Sequence, residues 1–293
     1  MKLIISTIIL VSIFSVFGKM EIIAEKSNDL NLYSEEVKLT NNTEYWPAIF
    51  YSPHQDDEAL AFGGAIREHK EAGRYVVLVL LTDGFNQPML DLLNGNRKCS
   101  WHNTTHHFNL TMEQLIWARK VEFIESARQL GVDKIIFAND GQGFPDNGLW
   151  TDNINQYPKY IKFVEDNIAN MEKKYPGSSH KLVSGEFERE ISSPDFKTPA
   201  HKGCYAAAYN LSNAIEDFAF YRSNEYSFPK NQRTGESKVI LSQNWIVAKR
   251  KALEQYKYFD PTHGRFAIGY HSVPHLIDAA YTDNCEYRDL IVN

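Results

Sequence analysis

An imidazole at His54 and a carboxylate at Asp57, about one helical turn apart, can converge on a single cation. Asp56 lies between them, must point elsewhere, and is free for proton transfer. A catalytic zinc takes three protein ligands and keeps one position for water, so this pair supplies two-thirds of such a site. The elements that would position it are legible on either side. Ala48-Ile49-Phe50-Tyr51 is an apolar run that stops at Ser52-Pro53, and Glu58 to Ile66 has the composition and apolar spacing of a helix opening. A strand handing over to a helix leaves these polar side chains at the carboxyl end of a sheet, where α/β proteins bind ligands. Taken alone, the string is also a polar turn in which Asp56 or Asp57 caps the helix.

A candidate third ligand stands far downstream. Thr198-Pro199-Ala200-His201 opens an alanine-rich stretch, with a proline suited to starting a helix. With Ser52-Pro53-His54-Gln55-Asp56-Asp57-Glu58 followed by Gly63-Gly64, and with His201 followed by Tyr205-Ala206-Ala207, the chain resembles the LmbE/PIG-L family of zinc-dependent N-acetylglucosaminyl deacetylases. Three weaker segments resemble the family in the same order. They are Val76 to Leu81 with Thr82-Asp83-Gly84, Arg119 and Glu122 ahead of Leu130-Gly131, and Lys249 with Ala252, Leu253 and Tyr256.

The resemblance implies a metal held by His54, Asp57 and His201, with Asp56 as general base and Arg119 and Asp146 as sugar contacts. The implied cofactor is Zn²⁺, although Fe²⁺ or another divalent ion suits the same nitrogen and oxygen donors. Gln55 replaces the family's proline. Thr198 stands where many members carry a histidine thought to stabilise the oxyanion. Thr198 itself, Lys197, His271 and His275 remain open candidates for that oxyanion or acid role.

The implied activity is removal of an N-acetyl group from an N-acetylglucosamine-type sugar or glycoconjugate. Two alternatives stay open. One is an N-acetylglucosaminyl-phosphatidylinositol deacetylase of the GPI pathway. The other is a secreted domain that binds zinc and glycan without catalysis.

Composition narrows the classes. The 293 residues are 43% hydrophobic, enough for a substantial core, and the net charge of −6 offers no basic face for nucleic acid. The basic cluster Lys249-Arg250-Lys251 reads as a solvated helix face. Lys2 followed by an apolar run from Leu3 to Phe17 reads as a signal peptide over residues 1–18, shorter than the ~20 residues of a bilayer span. Residues 19–46 read as a polar extension, and residues 47–293 as the deacetylase-like domain. The expected location is secreted or the endoplasmic reticulum lumen. Retention of the leader would make the protein membrane-anchored in the endoplasmic reticulum, and without it no stable span is expected. Sequons at Asn41, Asn103, Asn109 and Asn210 suit a secreted glycoprotein, although Asn210 falls in the zinc-site helix, which would hide it. Of three cysteines, Cys204 reads as a small buried apolar residue, and Cys99 and Cys285 form a candidate disulfide pair.

Apolar periodicity predicts strands at 48–52, 75–82, 134–139 and 180–184, and helices at 58–72, 112–130, 157–174, 200–217 and 244–257. This alternation implies a Rossmann-like α/β fold, with a mostly parallel sheet covered by helices on both faces and the metal site at the carboxyl ends of the strands. Residues 84–111 have no clear period and read as a lid with Phe85 and Trp101 facing sugar. Its three histidines, His102, His106 and His107, raise a second metal site. With no fixed element to hold them, they read instead as a solvated loop.

Overall fold

The computed structural model describes residues 47–138, 144, 153–184, 199–215, 217–222 and 236–289. The leader, the polar extension, Asn41, Asp146, Lys197 and Thr198 lie outside the described residues. The first apolar run forms strand β1 (Ala48–Ser52), followed by a one-turn helix α1 (Asp57–Leu60) and helix α2 (Gly63–Glu71). The single helix expected over 58–72 is therefore broken at Ala61-Phe62.

Strand β2 (Val76–Leu80) runs parallel to β1. Residues 84–111 contain helix α3 (Gln87–Leu93) and a short antiparallel pair, β3 (Lys98–Cys99) with β4 (Thr104–Thr105). Helix α4 (Met112–Leu130) has the predicted bounds, because Thr111 and Gln114 close a reciprocal capping box at its start. Strand β5 (Lys134–Phe137), helix α5 (Asn153–Lys174), strand β6 (Ser179–Val183) and helix α6 (Pro199–Leu211) follow. Helix α6 ends at Leu211, short of the expected 217, because the chain enters strand β7 (Phe218–Arg222).

The remaining elements are strand β8 (Glu236–Ile240), helix α7 (Gln243–Lys257), the two-residue strands β9 (Phe259–Asp260) and β10 (Arg265–Phe266), helices α8 (Ile268–Ser272) and α9 (Pro274–Thr282), and strand β11 (Cys285–Asp289). Among the described residues the main sheet has seven strands in the order β5-β2-β1-β6-β7-β11-β8. The first five are mutually parallel, and β11 is antiparallel to both neighbours.

From β1 the chain steps outward to β2 and β5, then returns to the other side of β1 for β6 and β7. The reversal makes the carboxyl end of β1 a topological switch point, the usual ligand position in open α/β sheets. Alternate residues of β1 and β2 feed the two faces. Phe50 and Leu78 pack with α2, α4 and α7, while Tyr51 and Val79 pack with α5 and α6. Helices therefore cover both faces, as expected for a buried parallel sheet.

Two sequence readings are corrected in this frame. Lys249 is not on a solvated face. It is 2% exposed, and its Nζ donates to Leu60 O at 3.1 Å and to Glu286 Oε1 at 2.7 Å. Glu286, fully buried on β11, also accepts the backbone N–H groups of Gly64 and Ala65 at 2.7 and 3.0 Å, supplying the cap of α2. At residue 64 a Cβ would stand 2.2 Å from Leu241 Cδ2 and 2.9 Å from Glu286 Oε2, so any larger residue would have to displace those side chains. The Cys99–Cys285 pair does not form, since all three cysteines are free and buried.

Candidate metal centre

The loop leaving β1 is clamped before any functional side chain is placed. Ser52 Oγ donates to His54 O and Thr82 Oγ1 donates to Pro53 O, each at 2.8 Å. The backbone N–H of His54 donates to Asp57 Oδ2 at 2.9 Å, closing the turn over one carboxylate. Helix α6 then brings His201 across from the β6 side.

Three side-chain atoms meet at this switch point. His54 Nδ1 lies 3.2 Å from His201 Nε2 and 3.3 Å from Asp57 Oδ2, and His201 Nε2 lies 3.0 Å from Asp57 Oδ2. All three residues are buried. Burial raises the Asp57 carboxyl, but the flanking imidazoles of His201 and His54 outweigh it and hold the group well below the usual carboxylate range.

Asp56 stands beside this group with φ 127°, a left-handed conformation that costs a non-glycine residue ~1–3 kcal/mol. Its N–H donates to Glu58 Oε2 at 3.1 Å, while Glu58 Oε1 accepts from Ser126 Oγ and Tyr256 Oη at 2.5 and 2.6 Å. Burial pushes Glu58 up to about 7. It also raises Asp56 well above the carboxylate range, reinforced by the neighbouring Asp57 charge and opposed by Arg119.

Arg119 is 1% exposed, and its guanidinium donates to Gly84 O at 3.0 Å and to Gln55 O at 3.3 Å. It therefore ties the loop after β2 to the loop after β1, a positioning function that sequence reasoning missed. Gln55 is buried beneath Gly84, whose φ of +83° favours glycine and where a Cβ would stand 2.2 Å from Gln55 Nε2. Glu122, one turn beyond Arg119, accepts the N–H groups of Ile268 and Gly269 at 2.7 and 3.0 Å and so anchors the start of α8.

The donor set fits a divalent metal. Donors on a tetrahedral zinc with ~2.0–2.1 Å bonds lie about 3.3 Å apart, close to the three separations seen. Two imidazoles and one carboxylate also match the ligand types of catalytic zinc sites.

The other candidates separate. His271 is drawn into a different group with Cys99, His102 and His106. His275 is exposed on α9. Phe85 is buried in an apolar cluster with Leu93, Leu115 and Ile268, so it does not face a sugar. Trp101 is 41% exposed and lies tilted against the His102 ring, 4.1 Å centroid to centroid. Cys204 is buried beside Tyr160, with its thiol pushed up by burial, in keeping with an apolar filler. Asn103 and Asn109 are exposed. Asn210 is exposed as well, against expectation, with Nδ2 donating to Glu165 Oε1 at 2.7 Å.

Comparison with known proteins bears on the family and the fold. The sequence model of the PIG-L family, described as GlcNAc-PI de-N-acetylase, matches residues 49–184. No curated protein sequence matches the chain. Among solved structures, a zinc-inhibited form of the teicoplanin deacetylase Orf2 superposes with a TM-score of 0.57 at 14% identity, covering 83% of this chain and 96% of that one. A deacetylase–teicoplanin complex has a TM-score of 0.54 at 14% identity, with the same coverage. GalB, the 4-carboxy-2-hydroxymuconate hydratase of Pseudomonas putida KT2440, has a TM-score of 0.50 at 15% identity, covering 85% of this chain and 97% of that one. At such identities the likeness is one of fold.

Proposed function

Starting from a chain that is PIG-L-like across residues 49–184, we propose that it is a metal-dependent hydrolase that removes the acetyl group from an N-acetylglucosamine-type sugar or glycoconjugate. The observation that carries this reading is the convergence of His54, Asp57 and His201 with a spare, strained carboxylate, Asp56, alongside. Three ligands leave a coordination position open, whereas structural sites close with four. Zinc in this position would supply Lewis acidity, lowering the pKa of a coordinated water and polarising an amide carbonyl.

The remaining steps belong to the chain's own residues. Asp56, adjacent in sequence to ligand Asp57, takes a proton from the attacking water at its carboxylate and delivers it to the departing amine. Its unusual backbone dihedral aims the side chain, and the Glu58, Ser126 and Tyr256 hydrogen bonds hold that dihedral in place. Arg119 keeps the two loops in register around the switch point. The products are acetate and a free amino sugar.

We place the mature protein in a secretory compartment, with the exposed Asn103 and Asn109 as glycan acceptors. Among the described residues no helix is long and apolar enough to cross a membrane. The GPI-pathway activity and the non-catalytic binder remain the competing readings. The fold also carries a hydratase, so chemistry must be tested on substrate. The deciding assay measures acetate release from a panel of N-acetylated sugars, oligosaccharides and glycolipids, with metal-stripped protein as control. Metal-dependent release supports the hydrolase. Release from N-acetylglucosaminyl-phosphatidylinositol alone selects the GPI reading, and glycan binding without release from any substrate selects the binder.

A further inference from the structure

We propose that Cys99, His102, His106 and His271 form a second, structural zinc site that pins the 84–111 segment to the C-terminal part of the domain. One atom from each of the four residues lies within 4.8 Å of the other three. Cys99 Sγ is 3.6 Å from His102 Nδ1, and His102 Nδ1 is 3.2 Å from His106 Nε2. For tetrahedral zinc the expected separations are about 3.5 Å for sulfur to nitrogen and about 3.3 Å for nitrogen to nitrogen.

Local geometry supplies the presentation. Residues 99, 102 and 106 stand in a Cys-x₂-His-x₃-His arrangement on the β3–β4 pair, with spacings common among zinc ligands. The backbone N–H of His102 donates to Cys99 Sγ at 3.3 Å, which fixes the position of the sulfur beside the His102 ring. The fourth ligand comes from α8. His271 Nδ1 donates to Ala267 O at 2.8 Å, which fixes the tautomer and leaves the Nε2 lone pair facing inward. That Nε2 is buried and has no hydrogen-bond partner among the described residues.

The backbone before His271 bears the cost of this placement. Ala267 is fully buried at φ 49°, a left-handed conformation that a non-glycine residue keeps only when its surroundings enforce it. Glu122 holds the next two N–H groups and so sets the start of α8. Around the donors stands an aromatic shell. Phe259 lies 4.4 Å from the His102 ring, Trp101 5.1 Å from His271, and Phe108 5.2 Å from His106, centroid to centroid. Four soft or borderline donors in apolar surroundings make a closed site that suits zinc and leaves no position for substrate.

This site does not depend on the deacetylase reading, and its test does not use turnover. The purified full chain is stripped, reloaded with zinc or Co²⁺, and examined by mass spectrometry and absorbance. Wild type should hold about two zinc equivalents, and its cobalt form should show a thiolate-to-cobalt charge-transfer band, because one site contains sulfur. Cys99→Ser and His271→Ala should each abolish that band and leave about one equivalent. His201→Ala and Cys204→Ser should keep the band. A wild-type protein with a single zinc equivalent and no thiolate band overturns the proposal without reference to any variant's folding. A band lost in Cys204→Ser and retained in Cys99→Ser overturns it equally.

Discussion

His54 and Asp57 share one turn and meet His201 from a helix far along the chain, and a strained carboxylate stands beside them. Cys99, His102 and His106 come from one short hairpin, with His271 alone arriving from a distance, and aromatic rings stand where the first group has Asp56. The first is built at the switch point of the main sheet, where the rigid strands β1 and β6 set its geometry. The second is built on two-residue strands and a short helix, which have little rigidity of their own. An incomplete ligand set needs a stiff scaffold to remain poised, and a complete one can itself supply the stiffness.

The largest expected effect is that of His201→Ala. It should reduce acetate release to background and remove the open-site metal, while the sulfur-containing site stays loaded. Loss of both metals together would show that the two sites are one folding unit and would break the comparison. Asp56→Asn should lower turnover by about 10²–10⁴-fold with metal content unchanged, since it removes a base and no ligand. Wild-type turnover in this variant would place the base elsewhere.

Next in size is Cys99→Ser. A site saturated at ~1,000 times its Kd contributes about 4 kcal/mol, so zinc should raise the Tm of wild type by clearly more than that of the variant, which keeps only the contribution of the open site. Its residual turnover should exceed that of Asp56→Asn. Equal zinc-dependent stabilisation in both proteins would argue against a metal held by Cys99. The smallest effect is expected for Trp101→Ala. It removes a ring 4.1 Å from His102 and 5.1 Å from His271, and should weaken the second site's zinc affinity by about 10–100-fold, read by competition with a chelator.

The division between the two groups also explains what the sequence disclosed. β1, β2, α4 and the His54–Asp57 turn were legible because their apolar runs and caps are local. The antiparallel side of the sheet was not. β11 reads Cys-Glu-Tyr-Arg-Asp, and its buried Glu286 is satisfied by Lys249 and the start of α2, contacts that no local pattern announces. For the same reason the local sequence of Lys249 suggests a solvated face. Nothing near His102 and His106 in sequence fixes them. His271, the residue that meets them, lies beyond four strands of the main sheet. The Cys-x₂-His-x₃-His spacing was the signal available.

β11 also imposes an order on biogenesis. It is inserted between β7 and β8, pairing with both, and carries the carboxylate that caps α2. A chain emerging amino-terminus first can assemble β1, β2 and β5 early, but the edges of β7 and β8 stay unpaired until residues 285–289 leave the ribosome. Until then the nascent protein exposes strand edges of the kind that recruit chaperones or other chains. When it arrives, this strand joins β7 to β8 and satisfies the start of an early helix in the same event.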